Sequence, residues 1–283
     1  MATVLTTGFE VEGADGGPLR GVLRTQSAED GRPVVVICHG FKGFMDWGMF
    51  PKIADRLAHA GFSTISFNFS GSGVGPDRES FSEPERFSRA TFSNDLTDLG
   101  NLCRHVKGGR LGEVALKPPK KLGLIGHSRG GGTAVNFAGS DGGVDALVTW
   151  AAISHVHRWD DATLQLWRRD GRIDIPNART GEILPIYTDV LEDIDENATG
   201  TLDIPGAASK VTAPWLIVHG DRDETVGLNE ARSLHELSGE KAKLAVVEGG
   251  NHTFGSRHPW AGPTREFDEA LGETVGWFSR YLL

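Results

Sequence analysis

The sequence predicts an α/β fold in which helices flank a mainly parallel central sheet. Short apolar runs rich in β-branched residues alternate with helical patterns along most of the 283 residues. Such alternation is typical of right-handed βαβ crossovers, which place successive strands in parallel. The alternation breaks once, between residues 153 and 211, where no long buried strand is predicted.

The individual elements follow from the period of the apolar residues. Residues 9–13 and 19–25 alternate with period two, as an exposed antiparallel pair would. The run at 33–40 is continuously apolar, which is typical of a strand buried on both faces. The same criteria predict, in chain order, a helix at 50–62, a strand at 63–69, a loop at 70–75, a helix at 87–106, a strand at 121–127, a helix at 129–139, strands at 145–152 and 213–220, a helix at 228–238, a strand at 242–249 and a helix at 265–282.

Residues 153–211 are predicted to form a cap inserted into a core made of residues 1–152 and 212–283. They contain a helical stretch at 157–171, a hairpin at 172–187 and an acidic segment at 188–200. The segment carries too many large apolar residues for a disordered linker. Trp159, Trp167, Ile186, Tyr187 and Leu191 could line an apolar pocket or could simply pack the cap onto the core.

Composition excludes several classes of protein. The 29 Lys and Arg residues against 38 Asp and Glu give a net charge of −9, and no dense basic run occurs, so we expect no nucleic-acid partner. The 38 glycines exceed the usual ~7% without a collagen-like period, which indicates many tight turns. A homodimer is compatible with the sequence.

Cysteine usage and the N-terminal residues give further expectations. Cys38 and Cys103 cannot make a disulfide framework, and no Cys/His spacing indicates a metal, so we expect buried free thiols. No basic segment followed by an apolar one opens the sequence, and no apolar run approaches the ~18 residues of a membrane span. We therefore expect a cytoplasmic protein without a membrane partner.

The segment Gly126-His127-Ser128-Arg129-Gly130 carries the strongest chemical signal. It is a GxSxG sequence with a predicted strand before it and a helix after it. That context is the one in which a serine sits on a sharp turn with its hydroxyl exposed above the sheet. A phosphate-binding loop would need GxxxxGK[ST] or GxGxxG in this turn, and neither occurs. Gly131 and Gly132 are predicted to let the following helix pack closely.

A serine nucleophile needs a base that is oriented by a third group. The order nucleophile, acid, histidine expected for this topology is met by Ser128, Asp223 and His252. Asp221 and Glu224 compete with Asp223 for the role of the acid. His39 and His219 are expected to hold loops by hydrogen bonds. The backbone N–H groups of Arg129 and of Phe41 are the expected donors to an oxyanion.

The chain resembles the α/β-hydrolase superfamily over nearly its whole length. The matching segments lie at predicted strand ends, in the order expected: "HGFKGF" (39–44), "GHSRGG" (126–131), "HGDRDETV" (219–226) and "GGNH" (249–252). Within the superfamily it looks like serine esterases akin to dienelactone hydrolases and cinnamoyl or feruloyl esterases with a cap. Dienelactone hydrolases proper use cysteine, and Ser128 disfavours their activity.

The resemblance implies a carboxylic ester hydrolase that forms an acyl-enzyme on Ser128 and needs no metal or organic cofactor. Its substrate would be a small-molecule ester with a short, medium or aromatic acyl group. The same three residues could serve a thioesterase, a peptidase, an acyltransferase or a cofactor-free perhydrolase. A non-catalytic binding protein on this fold is a further alternative, although such proteins usually lack one of the three residues.

Overall fold

The computed structural model describes residues 3–140, 142–177 and 181–283. Its centre is an eight-stranded sheet that confirms the predicted fold class. In chain order the strands are β1 (Leu5–Glu12), β2 (Pro18–Thr25), β3 (Val34–Cys38), β4 (Ser63–Phe67), β5 (Arg110–Leu111), β6 (Val114–Ala115), β7 (Leu122–His127), β8 (Ala146–Trp150), β9 (Arg172–Pro176), β10 (Ile183–Tyr187), β11 (Trp215–Gly220) and β12 (Ala242–Val247).

The central sheet has the order β1-β2-β4-β3-β7-β8-β11-β12. Strand β2 pairs antiparallel with β1 and β4, and every later neighbour pairs in parallel. Strands β9 and β10 form a separate antiparallel hairpin, as do the two-residue strands β5 and β6. The carboxyl ends of β3, β7, β11 and β12 therefore meet along one edge, where ligands bind in open α/β sheets.

Helices connect the parallel strands. In chain order they are α1 (Phe50–His59), α2 (Pro84–Ser88), α3 (Phe92–Lys107), α4 (Arg129–Gly139), α5 (Asp161–Asp170), α6 (Asp189–Asn197), α7 (Ile204–Lys210), α8 (Leu228–Ser238) and α9 (Arg265–Leu282). Among the described residues, every helix is too short or too polar to span a lipid bilayer.

The two faces of the sheet bury separate apolar layers because successive strand residues point in opposite directions. Val34 and Val36 belong to the layer that also contains apolar residues of α3, α4, α7 and α8. Val35 and Ile37 belong to the layer beneath α1 and α9. Each fully buried Val or Ile side chain stabilises the fold by roughly 1.5–3 kcal/mol. Every residue of β3 is buried, so the continuous apolar run at 33–40 is most stable as a central strand covered on both faces. Cys38 and Cys103 are buried free thiols, as predicted.

Most predicted elements are confirmed to within a few residues. The predicted helix at 87–106 is wrong at its start, because α2 ends at Ser88 and α3 begins at Phe92. The side chain of Thr91 accepts a hydrogen bond from the Asn94 amide, and this cap sets the start of α3. Helix α7 was not predicted from the sequence. It begins after Asp203, whose side chain accepts from the Gly206 amide.

Residues 153–211, which the sequence predicts to be a cap and which are called the cap segment below, contain α5, the β9–β10 hairpin, α6 and α7. Part of the predicted hairpin turn lies outside the described residues. Strand β10 packs against α2, α6 packs against α3, and α7 packs against α4. Leu184, Val190 and Ile194 are buried in the same apolar layer as the core residues, so the segment packs continuously onto the core.

Candidate active site

Ser128 lies on the sharp turn between β7 and α4. Its backbone angles are φ 55° and ψ −121°, a combination that is uncommon for a residue with a side chain. The turn is anchored on both sides, because the Ser128 amide donates to the Trp150 carbonyl at 2.9 Å and its carbonyl accepts from the Gly131 amide at 2.9 Å. Backbone strain held in this way is a frequent property of functional sites.

The glycines around Ser128 are explained by close contacts. A Cβ atom on Gly126 would lie 2.3 Å from the Gly130 carbonyl oxygen, and one on Gly130 would lie 2.2 Å from the carbonyl oxygen of His39. A Cβ atom on Gly131 would lie 2.5 Å from the side chain of Ala152. These glycines let the turn and the first turn of α4 pack against β3 and the end of β8, which agrees with the role predicted for Gly131.

Asp223 and His252 are brought together by the loops after β11 and β12. His252 Nδ1 lies 2.8 Å from Asp223 Oδ2. Because a carboxylate can only accept, Nδ1 carries the proton and Nε2 keeps a free lone pair. Asp223 Oδ1 accepts from the amides of Thr225 and Val226 at 2.9 Å each, which fixes the carboxylate.

The charge of Asp223 is favoured despite its burial. Burial raises the pKa of its carboxyl group, but the hydrogen bond and charge of His252 and the two backbone amides outweigh burial and hold the pKa below its ordinary value. The side chain is fully buried, whereas that of His252 is 19% exposed. The arrangement can therefore orient an imidazole and stabilise its protonated form.

Asp221, the alternative acid, has a different partner. Its Oδ1 accepts from the Gly249 amide at 2.7 Å, which ties the loop after β11 to the end of β12. Asp223, rather than Asp221, contacts the His252 ring among the described residues.

Three further histidines hold the loops around these residues. His127 Nε2 donates to the His252 backbone carbonyl at 2.8 Å, and burial lowers the pKa of His127 to about 3. His219 Nε2 donates to the Val226 carbonyl at 2.8 Å. His39 accepts from the Phe69 amide through Nε2 at 3.2 Å, and burial lowers its pKa to about 4. Hydrogen bonds by His39 and His219 were predicted from the sequence, whereas the contact of His127 was not.

Ser128 and His252 line one cavity of about 390 Å³, together with Phe41 and Arg129. Within the described part of the chain, no hydrogen bond joins the Ser128 hydroxyl to the imidazole, and such contacts often tighten only when substrate binds.

The amides of Phe41 and Arg129 have no acceptor among the described residues. Arg129 is the first residue of α4, where backbone N–H groups are free and the helix dipole favours negative charge.

The side chain of Arg129, to which the sequence assigned no role, forms a buried ion pair. Its Nε donates to Asp95 Oδ2 on α3 at 2.6 Å, and its guanidinium lies 4.0 Å from the centre of the Phe92 ring. Burial raises the pKa of Asp95, while the nearby Arg129 charge opposes that rise. The pair fixes the start of α4, and with it the turn of Ser128, to α3.

The cap segment supplies one wall of the cavity. Trp159 and Ile186 line it beside Ile175 and Val190. The other three predicted lining residues do not line it. Trp167 is fully buried against Trp159 with ring centres 5.0 Å apart, Leu191 is buried in the apolar layer, and the Tyr187 ring lies beneath the Arg89 guanidinium. Ile153 of the same segment also lines the cavity, and the core side contributes Phe87, Phe92 and Val226.

Residues 3–140, 142–177 and 181–283 contain no group of three or more His, Cys, Asp or Glu side chains arranged to hold a metal ion.

Comparison with known families gives one match. A family model described as "alpha/beta hydrolase fold" matches residues 33–174, which is half of the chain. The matched part runs from β3 through the turn of Ser128 to β9, within the cap segment.

Two of the curated relatives that match are 29% and 20% identical to this chain. One, described as an uncharacterized 31.7 kDa protein of Escherichia coli, is 29% identical over 122 residues, which are 43% of this chain and 38% of that protein. The other, 2,6-dihydropseudooxynicotine hydrolase of Paenarthrobacter nicotinovorans, is 20% identical over 84% of this chain and 57% of its own. In both cases the matched region spans less than two thirds of the relative.

Solved structures share the fold at low identity. Est1E from Butyrivibrio proteoclasticus, in a structure with ferulic acid bound, superposes with a TM-score of 0.69 at 17% identity and covers 95% of this chain and 98% of its own. An esterase domain from a Rhodothermus marinus protein superposes with a TM-score of 0.63 at 18% identity and covers 99% and 100%. At this identity the likeness shows a common fold.

Proposed function

The chain belongs to the α/β-hydrolase fold family, and from this premise we propose that it hydrolyses carboxylic esters through Ser128, His252 and Asp223. The observation that carries the proposal is the 2.8 Å hydrogen bond between His252 and Asp223 at the cavity that Ser128 lines. An esterase domain and Est1E with bound ferulic acid have the same fold, which supports an ester as the substrate.

The reaction follows from the protonation states. His252 Nε2 takes the proton of the Ser128 hydroxyl as the oxygen attacks the ester carbonyl. The amides of Phe41 and Arg129 donate to the oxygen that becomes negative. The protonated imidazole then gives its proton to the leaving alcohol, and Asp223 stabilises the imidazolium until it does so.

Release of the acyl group repeats these steps with water. His252 activates a water molecule that attacks the acyl-enzyme, the same two amides stabilise the second oxyanion, and the carboxylic acid leaves with Ser128 restored. The apolar walls of the cavity suit a short to medium aliphatic or an aromatic acyl group. The volume of about 390 Å³ lies within the range typical of small-molecule sites.

The test is Ser128→Ala assayed on p-nitrophenyl acetate and p-nitrophenyl butyrate. We expect hydrolysis to fall by at least about 10³-fold, because removal of a catalytic serine leaves only the residual effects of binding and the oxyanion donors. A fluorophosphonate probe should label the unmodified protein at Ser128 and leave the variant unlabelled. Ser140→Ala is the matched control, because Ser140 is exposed at the other end of α4. Equal hydrolysis by Ser128→Ala and the unmodified protein would reject the proposal.

A panel of matched esters, thioesters and peptide amides separates the esterase from the other activities that this group of residues supports. We expect kcat/KM to be highest for the esters. A clear preference for peptides would replace the esterase by a peptidase, and absence of both turnover and labelling would indicate a binding protein.

A further inference from the structure

The candidate cavity has the opposite charge to the chain as a whole. Its lining includes the cationic side chains of Lys42, Arg129 and Arg158, and no acidic side chain lines it among the residues that the structure describes. The 283 residues carry a net charge of −9. Overall charge should therefore repel an anionic ligand, while the cavity itself should attract one.

Two of the three cations are neutralised by buried partners. Arg129 is paired with Asp95 at 2.6 Å, and Arg158 is paired with Glu230 at 2.7 Å. Lys42 is exposed and takes part in no ion pair among the described residues. Its ammonium group lies 5.9 Å from the centre of the Phe41 ring, which also lines the cavity.

The backbone at Lys42 is strained. Its φ is 58°, a left-handed conformation that glycine or asparagine adopts with less strain. Such strain in a residue with a side chain is concentrated at ligand-binding and catalytic sites. Lys42 directly follows Phe41, whose amide is a proposed oxyanion donor.

We propose that Lys42 binds a carboxylate on the substrate, so that the preferred substrate class is an ester that carries a second, ionised carboxyl group on an apolar or aromatic body. The body would contact the cap wall at Trp159 and Ile186. This inference rests on the proposed ester hydrolysis and adds the charge of its substrate. The N-terminus of α4 contributes further positive potential at the same cavity.

The experiment compares anionic and neutral esters of similar size in two arms. The first arm uses the 4-nitrophenyl monoester of glutaric acid against 4-nitrophenyl pentanoate, which places the charge on the acyl side. The second arm uses 4-acetoxybenzoate against its methyl ester, which places the charge on the alcohol side. The measured quantity is the ratio of kcat/KM for the anionic ester to that for the neutral ester.

In at least one arm we expect a ratio above one in the unmodified protein. The ratio should fall about five-fold in Lys42→Gln and further in Lys42→Glu, mainly because KM for the anionic ester rises. Lys42→Arg should retain the ratio because it keeps the charge. Lys52→Gln is the matched control, since Lys52 is an exposed lysine on α1 and its loss changes net charge equally. Added NaCl should lower the ratio in the unmodified protein, which tests the inference without a variant.

A ratio below one in both arms, or an equal ratio in Lys42→Gln, Lys42→Glu and the unmodified protein, would overturn the inference. In those cases Ser128-dependent hydrolysis of the neutral esters would remain. Failure of the proposed function would instead remove Ser128-dependent hydrolysis of all four esters, so the two failures are distinguishable.

Discussion

His127 Nε2 donates a hydrogen bond of 2.8 Å to the backbone carbonyl of His252. The residue before the proposed nucleophile thus holds the loop of the proposed base, although the two are 125 positions apart in sequence. The centres of the two rings lie 4.8 Å apart, and Phe50 also packs edge-on against His127. Because burial lowers the pKa of His127 to about 3, the ring is neutral at pH 7.

His127→Phe keeps an aromatic ring and removes this hydrogen bond. We expect kcat to fall roughly ten- to a hundred-fold with a smaller change in KM, because displacement of a catalytic group by about 1 Å can have an effect of this size. Steady-state kinetics on p-nitrophenyl butyrate measure it. His105→Phe, at an exposed position on α3, is the control. A kcat within two-fold of the unmodified value would show that the contact does not position His252.

The same histidine should make stability depend on pH. Its pKa is about 3 in the folded protein and about 6.5 when unfolded. Below pH 6.5 the unfolded chain therefore binds a proton that the folded chain does not, and the free energy of unfolding falls as pH is lowered. The slope approaches about 1.4 kcal/mol per pH unit for one such proton. Urea unfolding at pH 7 to 4 should show a smaller loss in His127→Phe than in the unmodified protein, and equal losses would contradict the prediction.

Asp223→Asn and Asp221→Asn separate two neighbouring carboxylates. We expect Asp223→Asn to lower kcat by about 10⁴-fold, because an amide at this position favours the wrong tautomer of His252. Asp221→Asn should lower kcat by less than ten-fold, since Asp221 contacts the Gly249 amide rather than the imidazole. Assays on p-nitrophenyl butyrate at pH 7 to 9 test both. A reversed order of the two effects would assign the acid to Asp221.

Asp95→Asn leaves the Arg129 guanidinium buried without its charged partner. Removing one member of a buried pair typically lowers the free energy of unfolding by about 3–5 kcal/mol. The double variant Asp95→Leu with Arg129→Met should lose less than the sum of the losses in Asp95→Leu alone and Arg129→Met alone, because it leaves no unpaired charge. Urea unfolding of these three variants and the unmodified protein gives the coupling energy. Additive losses would mean that the pair does not contribute as a unit.

Glu230→Ala removes the acceptor that joins the start of the cap segment to α8. Glu230 Oε2 accepts from the Ser154 amide at 2.8 Å, and Oε1 accepts from Arg158 at 2.7 Å. Hydrogen bonds to a charged group contribute roughly 1.5–3 kcal/mol each. We therefore expect at least about ten-fold faster amide exchange over residues 154–158. Glu236→Ala, at an exposed position on the same helix, is the control, and unchanged exchange in Glu230→Ala would show that this segment is held by other contacts.

Local sequence patterns predicted the scaffold and singled out Ser128, Asp223 and His252 as candidate site residues. Apolar period and turn residues are properties of neighbouring positions, and they predicted the bounds of α4, α8 and α9. Ser128 was identified because the strained turn demands glycines beside it. Asp223 and His252 were identified because each follows a strand whose end lies at the same edge of the sheet. The sequence favoured Asp223 over Asp221 as the acid, although both carboxylates follow the same strand two positions apart. In the structure it is Asp223 that contacts the imidazole.

Pairings between distant residues were decided only by tertiary packing. Nothing near Arg129 in sequence indicates Asp95, and nothing near His127 indicates the carbonyl of His252. In the cap segment, apolar character predicted burial but not the neighbour. Trp159 contacts the cavity while Trp167 lies behind it, although both are aromatic residues of one predicted helix. The period of a sequence specifies which face of an element is buried, whereas the packing of several elements determines whether that face meets the core or the cavity.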